Sequence, residues 1–450
     1  MNDKLHFSEY LFVGSLLFGM FFGAGNLIFP VHMGQEAGAA VYLANLGFLV
    51  TGVGLPFLAV VAMGISGCKN LQALAGRISP LYGKIFTVAL YLSIGPGIAL
   101  PRTGTVSYEV GMATAVPPEL QAVALALFTG VFFLIALAFS LKPSKILIWV
   151  GKILNPLFLF FLAVLIVTAL FAPMGDVSTM TVQGAYKVQA FSKGFVEGYN
   201  TLDALAGLAF AIIVIKTLES LGQKTPKAIA LGTLKAGTVS VFLMCIIYTA
   251  LAWLGSSSMG KLTLSPNGGL AWAQIANYYF GIFGAALLGI IVTLACLKTA
   301  IGLITACSTT FEELFPNTVG YKTYVYIFTA ISFLVANLGL TNIIALSVPV
   351  LMFIYPLAMT LIIVTFLTAL CKDREMYVVT TIFTAIAAFG DMLAALPKGA
   401  QSMGWVQGLL GVYQYLPMFK LGMGWLVPAI IGLVISFLFR KKQDVAQLKK

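Results

Sequence analysis

GSLLFGMFFGAGNLIFP, residues 14–30, is the stretch whose reading decides the fold. It lies inside an apolar run from about 7 to 33, and a spanning helix needs about 20 apolar residues. Its rhythm breaks at Gly23-Ala24-Gly25-Asn26. Glycine weakens a helix, and an asparagine in mid-membrane must find a polar partner. If the backbone unwinds there, freed carbonyls can bind a cation and exposed amides can bind a carboxylate. The Gly19–Gly23 pair also fits a GxxxG helix-packing motif. Asn26 beside the glycines favours a site over packing alone.

The rest of the chain is consistent with a membrane setting. Of 450 residues, 60% are hydrophobic and 9% charged, with mean hydropathy +0.99, whereas a soluble domain is about 25% charged. About twelve apolar runs are long enough to span. They lie near 7–33, 41–66, 84–111, 120–140, 145–171, 194–221, 228–254, 270–310, 321–340, 343–370, 377–396 and 421–440. The run at 270–310 is too long for one upright span and is expected to tilt or to continue beyond the hydrocarbon. The first run reads as a retained span, not a cleaved signal.

The net charge of +11 is spread over short loops, which does not suit a nucleic-acid surface. With a cytoplasmic N-terminus, Lys4, Lys69, Arg77, Lys84, Lys142, Lys145, Lys152, Lys216, Lys224, Lys227, Lys235, Lys322, Lys372, Arg374 and the basic tail share one side. Lys187, Lys193, Lys261, Lys398 and Lys420 fall on the other. The positive-inside rule then predicts an even number of spans and two cytoplasmic termini. No stretch can hold a soluble catalytic or nucleotide-binding domain, and no Walker A pattern occurs. Cysteines at 68, 245, 296, 307 and 371 make no CxxC pair, and two histidines cannot build a metal site alone. Cys296 and Cys307 share a helix face and read as core.

A second interruption falls in the sixth run, GFVEGYNTLDALAGLAF, residues 194–210. Gly198, Asn200, Thr201 and Asp203 lie within it, and an intramembrane carboxylate is a functional candidate by default. Asp203 at a hydrated interface, capping a helix, is the alternative. The second interruption lies five spans after the first, so they enter the membrane from opposite sides. Paired breaks of this kind point to the central site of a transporter. A passive channel would share the composition, but paired breaks favour alternating access; no nucleophile–base or metal set suggests an enzyme. Arg102 and Glu109 stand two turns apart on one helix face and are a candidate gate pair. Lys298 sits inside the eighth run, where it would snorkel, pair with a carboxylate or lose its proton. Asp391 is expected at an interface.

The runs FFGAGNLIFP (21–30), IGPGIALPRTGTVSYEVG (94–111), GYNTLDALAGLAF (198–210) and ACLKTAIGLITACS (295–308) together resemble the BrnQ-type branched-chain amino acid:cation symporters, the LIVCS family. The likeness covers essentially the whole chain. It implies an all-α membrane protein with the LeuT-like five-plus-five inverted repeat, helices 1 and 6 unwound mid-membrane. Repeat one would cover about 7–171 and repeat two about 194–370. Two extra helices would follow at about 377–396 and 421–440, then a cytoplasmic basic tail at 441–450. It implies import of Leu, Ile and Val with Na+ across a bacterial-type cell membrane. No covalent cofactor and no nucleic-acid partner are implied. Proton-coupled or exchange-type transport of small neutral amino acids is the alternative.

Position by position, the resemblance implies that Gly23, Ala24 and Gly25 hold the substrate's carboxylate and ammonium. Tyr199 and Asn200 would line its cavity. Asn26, Thr201 and Asp203 would hold a sodium ion beside it. Gly19, Phe22, Ala295 and Thr299 would form a second sodium site. There the chain departs from sodium-coupled relatives of such folds, which typically offer a hydroxyl where Lys298 stands. Lys298 is therefore expected either to replace that ion with its own charge or to titrate and couple protons. From the residues themselves, the mostly apolar surroundings of the two breaks suit an aliphatic side chain.

Overall fold

The computed structural model describes residues 5–141, 146–368 and 374–447. Lys4, Lys142, Lys145, Cys371, Lys372 and the end of the basic tail lie outside them. Every regular element among the described residues is helical. In chain order they are α1 (Phe7–Phe21), α2 (Ala24–Ala37), α3 (Val41–Leu49), α4 (Leu55–Ser66), α5 (Leu71–Ala75), α6 (Pro80–Leu92) and α7 (Ala99–Gly111). Then follow α8 (Gln121–Leu141), α9 (Ile146–Phe171), α10 (Tyr186–Glu197), α11 (Asp203–Ser220), α12 (Pro226–Ser258) and α13 (Gly268–Leu314). The chain closes with α14 (Tyr321–Ala336), α15 (Leu340–Thr368), α16 (Arg374–Ala394), α17 (Lys398–Gln401), α18 (Gly404–Tyr413) and α19 (Leu426–Gln447).

Helix starts follow local chemistry. Ser79 accepts the amide of Tyr82 ahead of α6, and Thr225 accepts that of Ala228 ahead of α12. Each is followed by a proline at the first helical position, which has no amide to orphan. Among the described residues, seven helical stretches are long and apolar enough to cross a bilayer, and α10 with α11, bent by 44°, makes an eighth. Shorter apolar helices lie at Phe7–Phe21, Pro156–Phe171, Tyr321–Ala336 and Leu426–Leu438.

The long eighth run is neither simply tilted nor simply extended. At 47 residues α13 would be about 70 Å long as a straight rod. It turns instead at Gly281, whose φ of 63° and ψ of −167° only glycine adopts readily. The part before the turn lies against α2: the Trp272 indole donates to the carbonyl of Leu27 at 2.7 Å.

Packing is reciprocal between the two halves. α1 and α2 lie on α12, while α10 and α11 lie on α3 and α4. α7 packs on α14, and α8 on α13. Exchange of this kind places the two broken spans side by side between the halves. Lipid tails are as apolar as leucine, so close backbone approach holds such crossings. A Cβ on Gly34 would stand 2.0 Å from the carbonyl oxygen of Ala252, and one on Gly255 2.0 Å from that of Val31. At the α3–α10 crossing, Gly194 would meet the Ala44 carbonyl at 1.9 Å.

α16 and α19 pack together at the edge of α15. Asp391, near the end of α16, is buried within the protein and accepts the amides of Gly424 and Trp425 at 3.1 and 2.9 Å. It satisfies backbone donors at the entry to α19. Cys296 and Cys307 are buried in the core.

Candidate functional site

The first span is interrupted at Phe22 and Gly23, which are extended; Ala24, Gly25 and Asn26 form the first turn of α2. Gly23 needs no unusual torsion, and a Cβ there would meet nothing closer than 3.6 Å. What it would fill is cavity. Pro30 lies inside α2 and has no N–H to give the carbonyl of Asn26, four residues back. The break thus leaves backbone groups of both signs facing one space.

The second interruption is a short 3-10 turn, Gly198–Thr201, followed by Leu202 in the left-handed region at φ 64°. A leucine there is strained by about 1–2 kcal/mol, and such strain gathers at functional sites. Asp203 opens α11 directly after it.

The two breaks meet. The Asn26 side-chain amide donates to Asp203 Oδ2 and to the Tyr248 hydroxyl, while Asn26 Oδ1 accepts the Gly23 amide at 3.0 Å. Thr201 Oγ1 receives the Asp203 amide at 3.3 Å. Asp203 is 4% exposed and, among the described residues, no basic side chain pairs with it. Asn26 therefore turns its nitrogen, not its oxygen, toward Asp203.

Around this meeting point lies a cavity of about 300 Å³, at the small end of ligand pockets. Gly19, Phe22, Gly23, Ala24, Gly25, Asn26, Thr201, Asp203, Ala295, Lys298 and Thr299 all line it. Its apolar wall includes Phe18, Ile94, Phe158, Leu159 and Val292. It continues past Phe210, Ile213 and Ala306, toward the side on which α1 begins. Thr299 Oγ1 donates to the Ala295 carbonyl at 3.1 Å, so two of the four residues expected around a second ion are bonded to each other.

The opposite side is closed, and here several expectations change. Tyr199 and Asn200 do not line the cavity. Tyr199 is buried and stacks on Tyr355, ring centroids 4.5 Å apart. Asn200 Nδ2 donates to Glu197 Oε2 at 2.9 Å, and Glu197 pairs with Lys193 at 2.6 Å. Arg102 and Glu109 form no pair. Seven residues put them about 10 Å apart along the axis, and each finds another neighbour. Arg102 donates to the Asn200 carbonyl at 2.6 Å and to Ser347 Oγ at 2.8 Å, with its guanidinium 5.0 Å from the centre of the Phe29 ring. Glu109, half-buried, lies against Asn267 and Gly269.

Tyr248, Ser347 and Tyr355 were not singled out by sequence. Tyr248 carried a faint signal, since a phenol inside an apolar run needs a partner for its hydroxyl.

Comparisons with known proteins identify the family and the fold. The family described as branched-chain amino acid transport protein matches residues 6–443. The branched-chain amino acid permease BrnQ of Lactobacillus delbrueckii subsp. lactis is 44% identical over 434 residues, 96% of each chain. That of Bacillus subtilis is 44% identical over 446 residues, 98% of this chain and all of the relative. Among solved structures, the inward-facing conformation of Mhp1 superposes with a TM-score of 0.63 at 14% identity, covering 96% of this chain and 91% of Mhp1. MhsT in complex with L-phenylalanine gives 0.56 at 15%, covering 96% and 98%. These two likenesses establish the LeuT-like fold. With its family matched along nearly its whole length, the chain belongs to the branched-chain amino acid transport proteins, membrane transporters and not enzymes.

Proposed function

We propose that this protein imports leucine, isoleucine and valine across a cell membrane by symport with Na+, through alternating access around the two breaks. Both termini face the cytoplasm. The two five-helix repeats span about 7–171 and 194–370, with two extra helices at about 377–396 and 421–440. The cargo follows from the names of the relatives, which are branched-chain amino acid permeases.

The observation that carries the coupling is Asp203. A buried carboxylate without a cationic partner is costly, and it faces the cavity where the breaks meet. A cation arriving there removes that cost and prepares the site for the amino acid. Asp203 and Thr201 would supply oxygens to it, with Asn26 orienting the carboxylate. The α2 amides at Ala24 and Gly25 would receive the substrate's carboxylate. Phe22, Phe158 and Leu159 would take its aliphatic side chain. Gly19, Phe22, Ala295 and Thr299 would hold a second sodium only if Lys298 swings clear.

Proton coupling is the second reading. It is favoured by Lys298 in the cavity wall beside those residues. Labelled isoleucine uptake into proteoliposomes, with sodium and proton gradients imposed separately, tests both. Accumulation should follow the sodium gradient at constant pH. Accumulation under the proton gradient alone would replace sodium with protons, and none under either would refute symport.

A further inference from the structure

We infer that Arg102 is the charged partner of the substrate's carboxylate. This rests on the transport reading above and adds how the amino acid is oriented and selected.

Arg102 is 2% exposed, in the middle of the membrane-spanning bundle. A guanidinium taken out of water is expensive unless an anion or a full set of acceptors compensates it. Among the described residues Arg102 has neither: it donates to two neutral oxygens, the Asn200 carbonyl and Ser347 Oγ, and its Nε has no partner. Five N–H groups are thus served by two acceptors and one ring face.

The same cavity wall holds Asp203, also buried and also bonded only to neutral groups. Arg102 and Asp203, of opposite sign, line one small chamber with Lys298 also in its wall, and do not pair with each other. The cation proposed above compensates Asp203, and the carboxylate of the amino acid compensates Arg102. Phe18, Ile94, Phe158, Leu159 and Val292 form an apolar part of the wall, which leaves the side chain somewhere dry to lie.

Placement agrees. The guanidinium stands over Phe29, and the Phe29 ring lies 3.3 Å from where a Cβ of Gly25 would be. Arg102 therefore borders the first turn of α2. A carboxylate has two oxygens: one can take the α2 amides, the other a guanidinium N–H of Arg102 that lacks an acceptor. Asn200 and Ser347 hold the guanidinium in place. The amino acid is then fixed by three points, and a ligand lacking the carboxylate leaves Arg102 buried and uncompensated. That is discrimination by an unpaired group, which is stronger than discrimination by fit.

The test compares isoleucine with 2-methylbutylamine, the same skeleton without the carboxylate. Both compete with labelled isoleucine on purified wild-type, R102Q and R102K protein. A charge-assisted bond corresponds to about a 10- to 150-fold difference in affinity. R102Q should lose most of the preference for isoleucine, by about tenfold or more, while its affinity for the amine stays within about threefold. R102K should fall between the two. A parallel measurement uses the wild-type protein alone. Isoleucine, and not the amine, should slow phenylglyoxal modification of Arg102, read by peptide mass.

Equal losses for both ligands in R102Q would reduce Arg102 to a structural tie and overturn the assignment. So would an unchanged preference, which would pass the carboxylate to Lys298 or to the amides alone. Equal protection by both ligands would overturn it too. Failure of the wild-type protein to bind isoleucine at all would instead overturn the transport reading.

Discussion

Replacing Asp203 with Asn should make the sodium-free protein more stable while removing its response to sodium. Asp203 is 4% exposed and accepts from Asn26 and Tyr248, with Thr201 beside it. Burying a carboxylate costs several kcal/mol even after relaxation. Each hydrogen bond to the charged group returns about 1.5–3 kcal/mol. Two such bonds return about 3–6 kcal/mol and leave a residual penalty of at most about 2 kcal/mol, which a neutral side chain of the same shape avoids. The ion acts in the opposite direction on the wild type. At 100 times its dissociation constant it would add about 2.7 kcal/mol. Thermal unfolding in choline and in sodium buffers reads both effects. The wild type should rise by several degrees in sodium. D203N should start higher in choline and stay flat. A D203N protein that melts lower in choline and still gains from sodium would refute this account, because the carboxylate would then be a structural cap and not an ion ligand.

Three further perturbations follow from the geometry. Tyr248→Phe removes a hydroxyl shared by Asn26 and Asp203, at a cost of about 1–3 kcal/mol; the sodium concentration for half-maximal uptake should rise about 5- to 150-fold, with little change in folded yield. Gly194→Val places side-chain atoms where the Ala44 carbonyl stands, 1.9 Å from the new Cβ, so the α3–α10 crossing must open. A loss of about 3 kcal/mol or more is expected, seen as a lower melting temperature with and without substrate. Lys298→Thr restores a hydroxyl beside Thr299 and Ala295. The number of sodium ions moved per isoleucine should increase, measured by paired isotope fluxes; an unchanged ratio would remove Lys298 from coupling.

What was legible in the sequence was what one helix states about itself. Composition sets the solvent, and run length sets the spans. The glycines beside Asn26, and Asp203 after Asn200 and Thr201, mark breaks because each is locally wrong for a membrane helix. The partners of those residues were not legible, since another span provides them. Arg102 and Glu109 share a helix face, and periodicity alone suggests a pair. The nearer acceptor was the Asn200 carbonyl, which the 3-10 turn at the second break presents. Tyr199 and Asn200 adjoin Thr201 in sequence, yet the turn directs them away from the cavity, toward Tyr355 and Glu197. Gly281 was unreadable for another reason: in so glycine-rich a chain, one glycine in a long apolar run does not declare whether the helix turns there.

The contacts that close the far side also set the scale of the transport cycle. α7 is tied to the second break and to α15 by two guanidinium hydrogen bonds from Arg102. Tyr199 on Tyr355 and Trp272 on Leu27 add a stack and one more bond across the same side. Two bonds from a charged donor are worth about 3–6 kcal/mol together, and an aromatic pair adds about 0.5–1.5. Each 1.4 kcal/mol is a tenfold shift in an equilibrium. A closure resting on so few contacts can be reversed by one ligand, provided that the ligand binds the two states differently. With its carboxylate on Arg102, as proposed above, the substrate would meet that condition, because it would share a residue with the closure. Arg102 lines the cavity and ties the far side at once, so occupancy of the cavity and closure of its roof are linked through one side chain. A cavity lined by apolar groups alone would have no such link, and binding would not be felt on the side that must open.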